Sequence, residues 1–129
     1  MTSLLLDTQA MLWFVWDDPH LSITARQQIE NRENRKLVSV ASCWEIAVKV
    51  GIGKLDLGES SRTFLPREIV HNNFELLSIR LDHATEVETM PSHHRDPFDR
   101  LLIAQAIVDQ LTIVGADAVF DQYGVARIW

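Results

Sequence analysis

The chain has 129 residues, 47% of them apolar and 23% charged, the balance of one soluble globular domain and not of a disordered or fibrous chain. Eighteen acids against twelve Lys and Arg give a formal net charge of −6, which excludes a broad basic field, so contacts to a polyanion have to come from a local site. A single cysteine, Cys43, excludes an internal disulfide and fits a reducing compartment.

Ser3 to Leu6 is a short apolar run closed by Asp7 and reads as a buried strand. Its lack of a basic leader makes it a poor signal peptide, and no apolar run is long enough to span a bilayer, so a cytoplasmic protein is expected. Ala10 to Trp16 reads as a helix, stopped by Asp17-Asp18-Pro19. Ser22 to Glu33 is expected as a surface helix and Leu37 to Val40 as a second strand. Ser42 to Gly51 follows as a helix with Trp44, Ala47, Val48 and Val50 on its apolar side. After a turn at Gly51 to Lys54 and a loop to Ser61, Arg62 to Asn72 is expected to be helical despite Pro66. Glu75 to Ile79 is a third strand candidate and Asp82 to Thr89 a short polar helix. A loop rich in His, Arg and Asp runs from Pro91 to Pro97. Phe98 to Asp109 is a strongly apolar helix, Leu111 to Val114 a fourth strand and Val125 to Trp129 an edge strand. Strands alternating with helices predict one α/β domain over residues 1–129, with a mostly parallel sheet of four to five strands covered on both faces.

The acids are informative by position. Asp7 and Asp117 follow the first and fourth strands, Glu45 is expected in the first turn of the helix after the second strand, and Asp99 in the first turn of the helix before the fourth. In open α/β sheets the ligand crevice lies beyond the carboxyl ends of the strands. Helix caps account for the same pattern one acid at a time: Asp7 precedes a helix, Ser42-x-x-Glu45 has the form of a capping box, and Asp96-Pro97-Phe98-Asp99 reads as cap, first-turn proline and third-position acid. Taken together, four carboxylates in one crevice repel each other and call for protonation or a cation. An all-oxygen set without Cys suits Mg²⁺ or Mn²⁺, and with it metal-assisted chemistry at a phosphoryl group.

Other residues carry less. His93-His94 precede Asp96 and read either as solvated or as within reach of a metal or phosphate. No Gly-x-Gly-x-x-Gly, Walker-type or Gly-x-Ser-x-Gly motif is present. Cys43 reads as a packed core residue, and Trp13, Trp16 and Trp44 as core or partner-facing, with base stacking as the alternative.

Leu4-Leu5-Leu6-Asp7-Thr8-Gln9-Ala10, Ser39 to Lys49, His94 to Ala106 and Leu111 to Val125 together resemble the PIN-domain ribonucleases, and among them the VapC-type toxins of bacterial toxin–antitoxin pairs. The resemblance spans nearly the whole chain. It implies a three-layer α/β/α fold and an acidic Mg²⁺ or Mn²⁺ site that cleaves RNA, with water attacking in line and the 3′ oxygen leaving. It maps the catalytic and metal-ligating acids onto Asp7, Glu45, Asp99 and Asp117, with Asp96 as a cap with an outer-shell role. It also implies a homodimer and a cognate antitoxin. One departure stands out: the family often has Thr or Ser two residues before the last acid, where this chain has Gly115, and Thr8 is the candidate replacement hydroxyl. Lys49, Lys54, Arg95 and Arg100 are candidate RNA phosphate contacts, or else solvated surface charges. Three rivals stay open: a non-catalytic α/β interaction module whose acids are only caps, another metal-dependent phosphoesterase, and a phosphoacceptor receiver-like domain. The last lacks an acid at the end of its third strand.

Overall fold

The structure is a computed structural model and describes residues 1–129. Its strands are β1 (Ser3–Leu6), β2 (Arg35–Ser39), β3 (Glu75–Leu77), β4 (Thr112–Val114) and β5 (Arg127–Ile128). Its helices are α1 (Thr8–Val15), α2 (Ile23–Glu30), α3 (Val40–Gly51), α4 (Ser61–His71), α5 (Leu81–Glu86) and α6 (Pro97–Asp109), with 3₁₀ turns at Val87–Thr89 and Ala118–Tyr123. The strands form one sheet in the order β3-β2-β1-β4-β5, and every pairing is parallel. The sheet is thus wholly parallel, with five strands.

Period-two alternation splits the apolar side chains of the sheet between two helical layers. Leu4, Leu6, Val38 and Val114 face a core built with Ala10, Met11, Ala25, Ile29, Ile46 and Phe64, from α1 to α4. Leu5, Leu37 and Ile113, in register across β2, β1 and β4, face the opposite core with Leu102, Ile103 and Ala106 of α6 and Phe120. The chain order gives the topology its functional meaning. Successive crossovers place β2 and β3 on one side of β1, and β4 and β5 on the other. The reversal opens a crevice at the carboxyl ends of β1 and β4, where such sheets bind ligands. No helix is long and apolar enough to cross a membrane.

Several expected boundaries move, each for a local reason. Helix α1 begins at Thr8 and not Ala10, because Asp7 itself is the N-cap. It ends in a left-handed turn at Asp17, φ 52°, with the Asp18 amide donating to the Trp13 carbonyl at 2.9 Å, so the stop precedes Pro19. Strand β2 ends at Ser39, whose hydroxyl accepts from the Ala41 amide at 3.0 Å and starts α3 at Val40. The Ser42-x-x-Glu45 capping box is therefore absent, and Glu45 lies in the second turn. Of the apolar side expected for α3 only Val50 packs on the core; the other three positions face outward. Ala41, Ser42, Glu45 and Ile46 point inward, while Trp44, Ala47 and Val48 are exposed, Trp44 by 59%. Apolarity alone misassigned this helix, because its inner face carries the polar Ser42 and Glu45.

Candidate functional site

Beyond the carboxyl ends of β1 and β4 lies a cleft of about 370 Å³. Asp7, Thr8, Glu45, Lys49, Lys54, Asp96, Asp99 and Asp117 all line it, along with an apolar wall that includes Trp13. The fold thus gathers all four predicted site acids, both predicted outer-shell residues and two of the four candidate cations.

Each acid is placed by its own local structure. Asp7, one residue past β1, is held by the Ala10 amide, which donates to its Oδ1 at 2.7 Å. Asp117 caps the 3₁₀ turn after β4, accepting from the Val119 amide at 3.0 Å. Asp96 caps α6 through the Phe98 amide at 2.9 Å, and Pro97 takes the first helical position, where its missing N–H costs nothing. That geometry carries Asp99 into the first turn of α6. Capping accounts for Asp7, Asp96 and Asp117 but not for Asp99 or Glu45.

Glu45 is 5% exposed, and both its oxygens are engaged. The Thr8 hydroxyl donates to Oε1 at 2.6 Å, and Lys49, one turn along α3, donates to Oε2 at 2.6 Å. The carboxylate in return raises the Lys49 pKa and keeps that side chain charged. Lys49 is thus bound first to a site acid, and the Thr8 hydroxyl serves Glu45 rather than Asp117.

The electrostatics are those of crowded like charges. Burial is the largest cause that pushes the Asp7 carboxyl up to about 7; the Ala10 hydrogen bond opposes it, and Asp99, Glu45 and Asp117 add to it. Burial also leads in raising Asp99 to about 6, with Asp96, Glu45 and Asp117 adding and His94 opposing. His94 stands between two acids, Nε2 2.8 Å from Asp99 Oδ2 and 3.7 Å from Asp117 Oδ2. Nε2 forms no in-line hydrogen bond despite that proximity. Of the paired histidines, His94 is therefore the one at the site, whereas His93 packs edge-on against Tyr123. The signal was its place two residues before the α6 cap.

Arg100 is turned to a different task. Its guanidinium donates to the Pro91 carbonyl at 3.0 Å and the Val87 carbonyl at 3.3 Å, and lies 3.4 Å from the His94 carbonyl. It closes the loop before α6 and does not line the cleft. Arg95 is exposed and also lies off the cleft wall. Arg95 thus fits the alternative of a solvated surface charge, whereas Arg100 fits neither expectation, being taken up by backbone carbonyls.

A family model for the PIN domain matches residues 4–126. The chain belongs to the PIN domain family. It is a family of nucleases, so the acids of this PIN domain lie in a fold that hosts phosphodiester chemistry. Solved structures agree on the fold. A promoter-DNA-bound VapBC complex of Rickettsia felis has a chain similar at TM-score 0.72 and 14% identity, covering 98% of both chains. A DNA-bound VapBC of Salmonella typhimurium has one at TM-score 0.72 and 16% identity, covering 99% of this PIN domain and 98% of that chain. A toxin–antitoxin complex of Klebsiella pneumoniae has one at TM-score 0.54 and 16% identity, covering 88% and 85%. No curated protein sequence matches the chain.

The donor set suits a hard divalent ion. It is all carboxylate oxygen, and a cation would relieve the repulsion from neighbouring acids that adds to burial in raising Asp7 and Asp99. No three His, Cys, Asp or Glu side chains stand close enough to hold an ion together, so an ion here would take part of its shell from water, as Mg²⁺ does.

Proposed function

We propose that this PIN domain is a divalent-metal-dependent endoribonuclease and the toxin of a toxin–antitoxin pair, acting in the cytoplasm. The observation that carries the reading is Asp7, fixed at the crevice of a parallel sheet beside Asp99, Glu45 and Asp117, with its carboxyl raised to about 7 by burial and by those neighbours. Likeness to chains of VapBC and toxin–antitoxin complexes supports the second half of the proposal, including a cognate antitoxin; the homodimer is part of the same proposal and rests on the sequence resemblance alone.

Asp7 and Asp99 would hold Mg²⁺ or Mn²⁺ directly, with Asp117 and Glu45 acting through water, Glu45 because Thr8 and Lys49 already occupy its oxygens. When bound, the ion supplies Lewis acidity and a water of lowered pKa. The chain does the rest. Lys49 holds Glu45 in place. Lys54, on the cleft wall and without a carboxylate partner, is positioned for a phosphate of the RNA backbone. The apolar side chains of Leu12, Trp13 and Leu55 face the same cleft and exclude water from one wall.

The test is cleavage of a mixed RNA pool by purified protein freed of any partner. Cutting is expected with Mg²⁺ or Mn²⁺, and it should stop in EDTA and in Asp7→Asn. Cutting undiminished by EDTA refutes the metal mechanism, and metal-dependent cutting of DNA but not RNA refutes the substrate assignment.

A further inference from the structure

Gly115 is buried and follows β4 directly. Its φ is not in the left-handed region, so backbone freedom does not explain a glycine there. Space does. A Cβ at this position would lie 2.5 Å from Asp7 Oδ2, 3.0 Å from Asp7 Cγ and 3.1 Å from Phe120 Cε2. Contacts under about 3 Å between carbon and oxygen atoms are not tolerated in a packed interior, so something would have to move. The backbone of Gly115 is not free to do so. Its amide donates to the Ile128 carbonyl at 3.2 Å, and its own carbonyl accepts from Arg127 at 3.1 Å. Asp7 is short and tied at Oδ1 to the Ala10 amide, so it cannot yield without breaking its cap.

We infer that Gly115 is a positioning residue: the missing side chain is the seat of the Asp7 carboxylate. Two neighbours fix the carboxylate, the Ala10 amide at one oxygen and the bare backbone of Gly115 against the other. The Thr or Ser expected here would thus not simply add a hydroxyl to this site. It would occupy the space that Asp7 fills. For metal affinity the inference rests on the metal reading above; for the seat itself it does not.

The test pairs a stability cycle with metal binding. In the wild-type background Gly115→Ala should lower Tm by about 5 °C or more. In an Asp7→Ala background the same substitution should cost less than half as much, because the atoms it strikes are gone. If Gly115→Ala does not fold alone, recovery of folding in the double variant supports the seat, and failure of both overturns it. Equal losses in the two backgrounds also overturn it, because they assign the glycine to packing against Phe120. By calorimetry, Gly115→Ala and Gly115→Ser should both bind Mn²⁺ about tenfold or more weaker than wild type. Wild-type affinity in Gly115→Ser overturns the inference. A wild type that binds no Mn²⁺ while the stability coupling persists supports the seat and refutes the metal reading.

Discussion

His94 Nε2 stands 2.8 Å from Asp99 Oδ2, while His94 Nδ1 accepts from the Asp96 amide at 3.1 Å. The second contact fixes the first: an Nδ1 that accepts leaves the ring proton on Nε2, the side that faces the acids. One imidazole therefore links the α6 cap to the acid in its first turn, and with its Nε2 side toward Asp99 it opposes the rise of that carboxyl. His94→Ala should move the Asp99 titration above its value of about 6, read by NMR of the side-chain carboxyl. An unchanged or lower midpoint would show that His94 does not act on Asp99.

Stability should depend on pH with a sign unusual for carboxylates. Asp7 is raised to about 7 and Asp99 to about 6, so across the range from about 4 to 7 the folded chain holds protons that the unfolded chain has released. Stability from these groups is then lost as pH rises. Exposed carboxylates paired with Arg, such as Glu75 and Asp121, are lowered and push the other way, so wild type alone does not isolate the effect. The difference between wild type and Asp7→Asn does. In EDTA, wild type should lose ground to the mutant between pH 4 and 7, by no more than a few kcal/mol. Denaturant melts at a series of pH values measure it, and a flat difference contradicts the assignment.

Asp96 and Asp99 should separate. Asp96→Ala removes the hydrogen bond to the Phe98 amide and should cost about 0.5–2 kcal/mol of stability. Asp99→Ala removes a crowded carboxylate, so it should cost little stability in EDTA and abolish cleavage. Melting and cleavage assays on the two variants test this, and the reverse pattern means the pair is assigned backwards.

Arg100 and Lys54 should separate as well. Arg100→Ala deletes the donors that close the loop on the Pro91 and Val87 carbonyls and should destabilise by about 1–3 kcal/mol. Lys54→Ala should leave stability nearly unchanged and weaken RNA binding. Its salt dependence should flatten by about one unit of slope. RNA binding by Arg100→Ala with an equally flattened slope would place that guanidinium on the phosphate.

The acids were legible because strand ends and helix starts mark one sheet edge. Asp7 after Leu6 and Asp96-Pro97-Phe98-Asp99 carry that geometry in chain order alone. Strands alternating with helices along the chain gave the layers, and the split of Leu4 and Leu6 from Leu5 between two cores is what the structure adds. The start of α3 was not legible. Val40 is β-branched and continues the strand pattern, whereas the Ser39 hydroxyl decides the matter through contacts to Ala41 and to Gln105, 66 residues away. Arg100 and Lys49 have the same charge in the sequence, and only the fold shows one turned to carbonyls and the other to Glu45. Gly115 showed only as a missing hydroxyl, because the atom that fills its space comes from Asp7, far away in the sequence.

The most direct measurement is the melting of wild type and Asp7→Asn with and without Mg²⁺. The substitution keeps an oxygen for the Ala10 amide and the size of the group against Gly115, and removes only the charge. In EDTA the mutant should melt no lower than wild type, because repulsion from Asp99, Glu45 and Asp117 is relieved. On adding Mg²⁺ wild type should gain more than the mutant, following RT ln(1 + [L]/Kd). If Asp7→Asn melts lower in EDTA and responds to Mg²⁺ as wild type does, Asp7 is a helix cap and not the centre of a metal site.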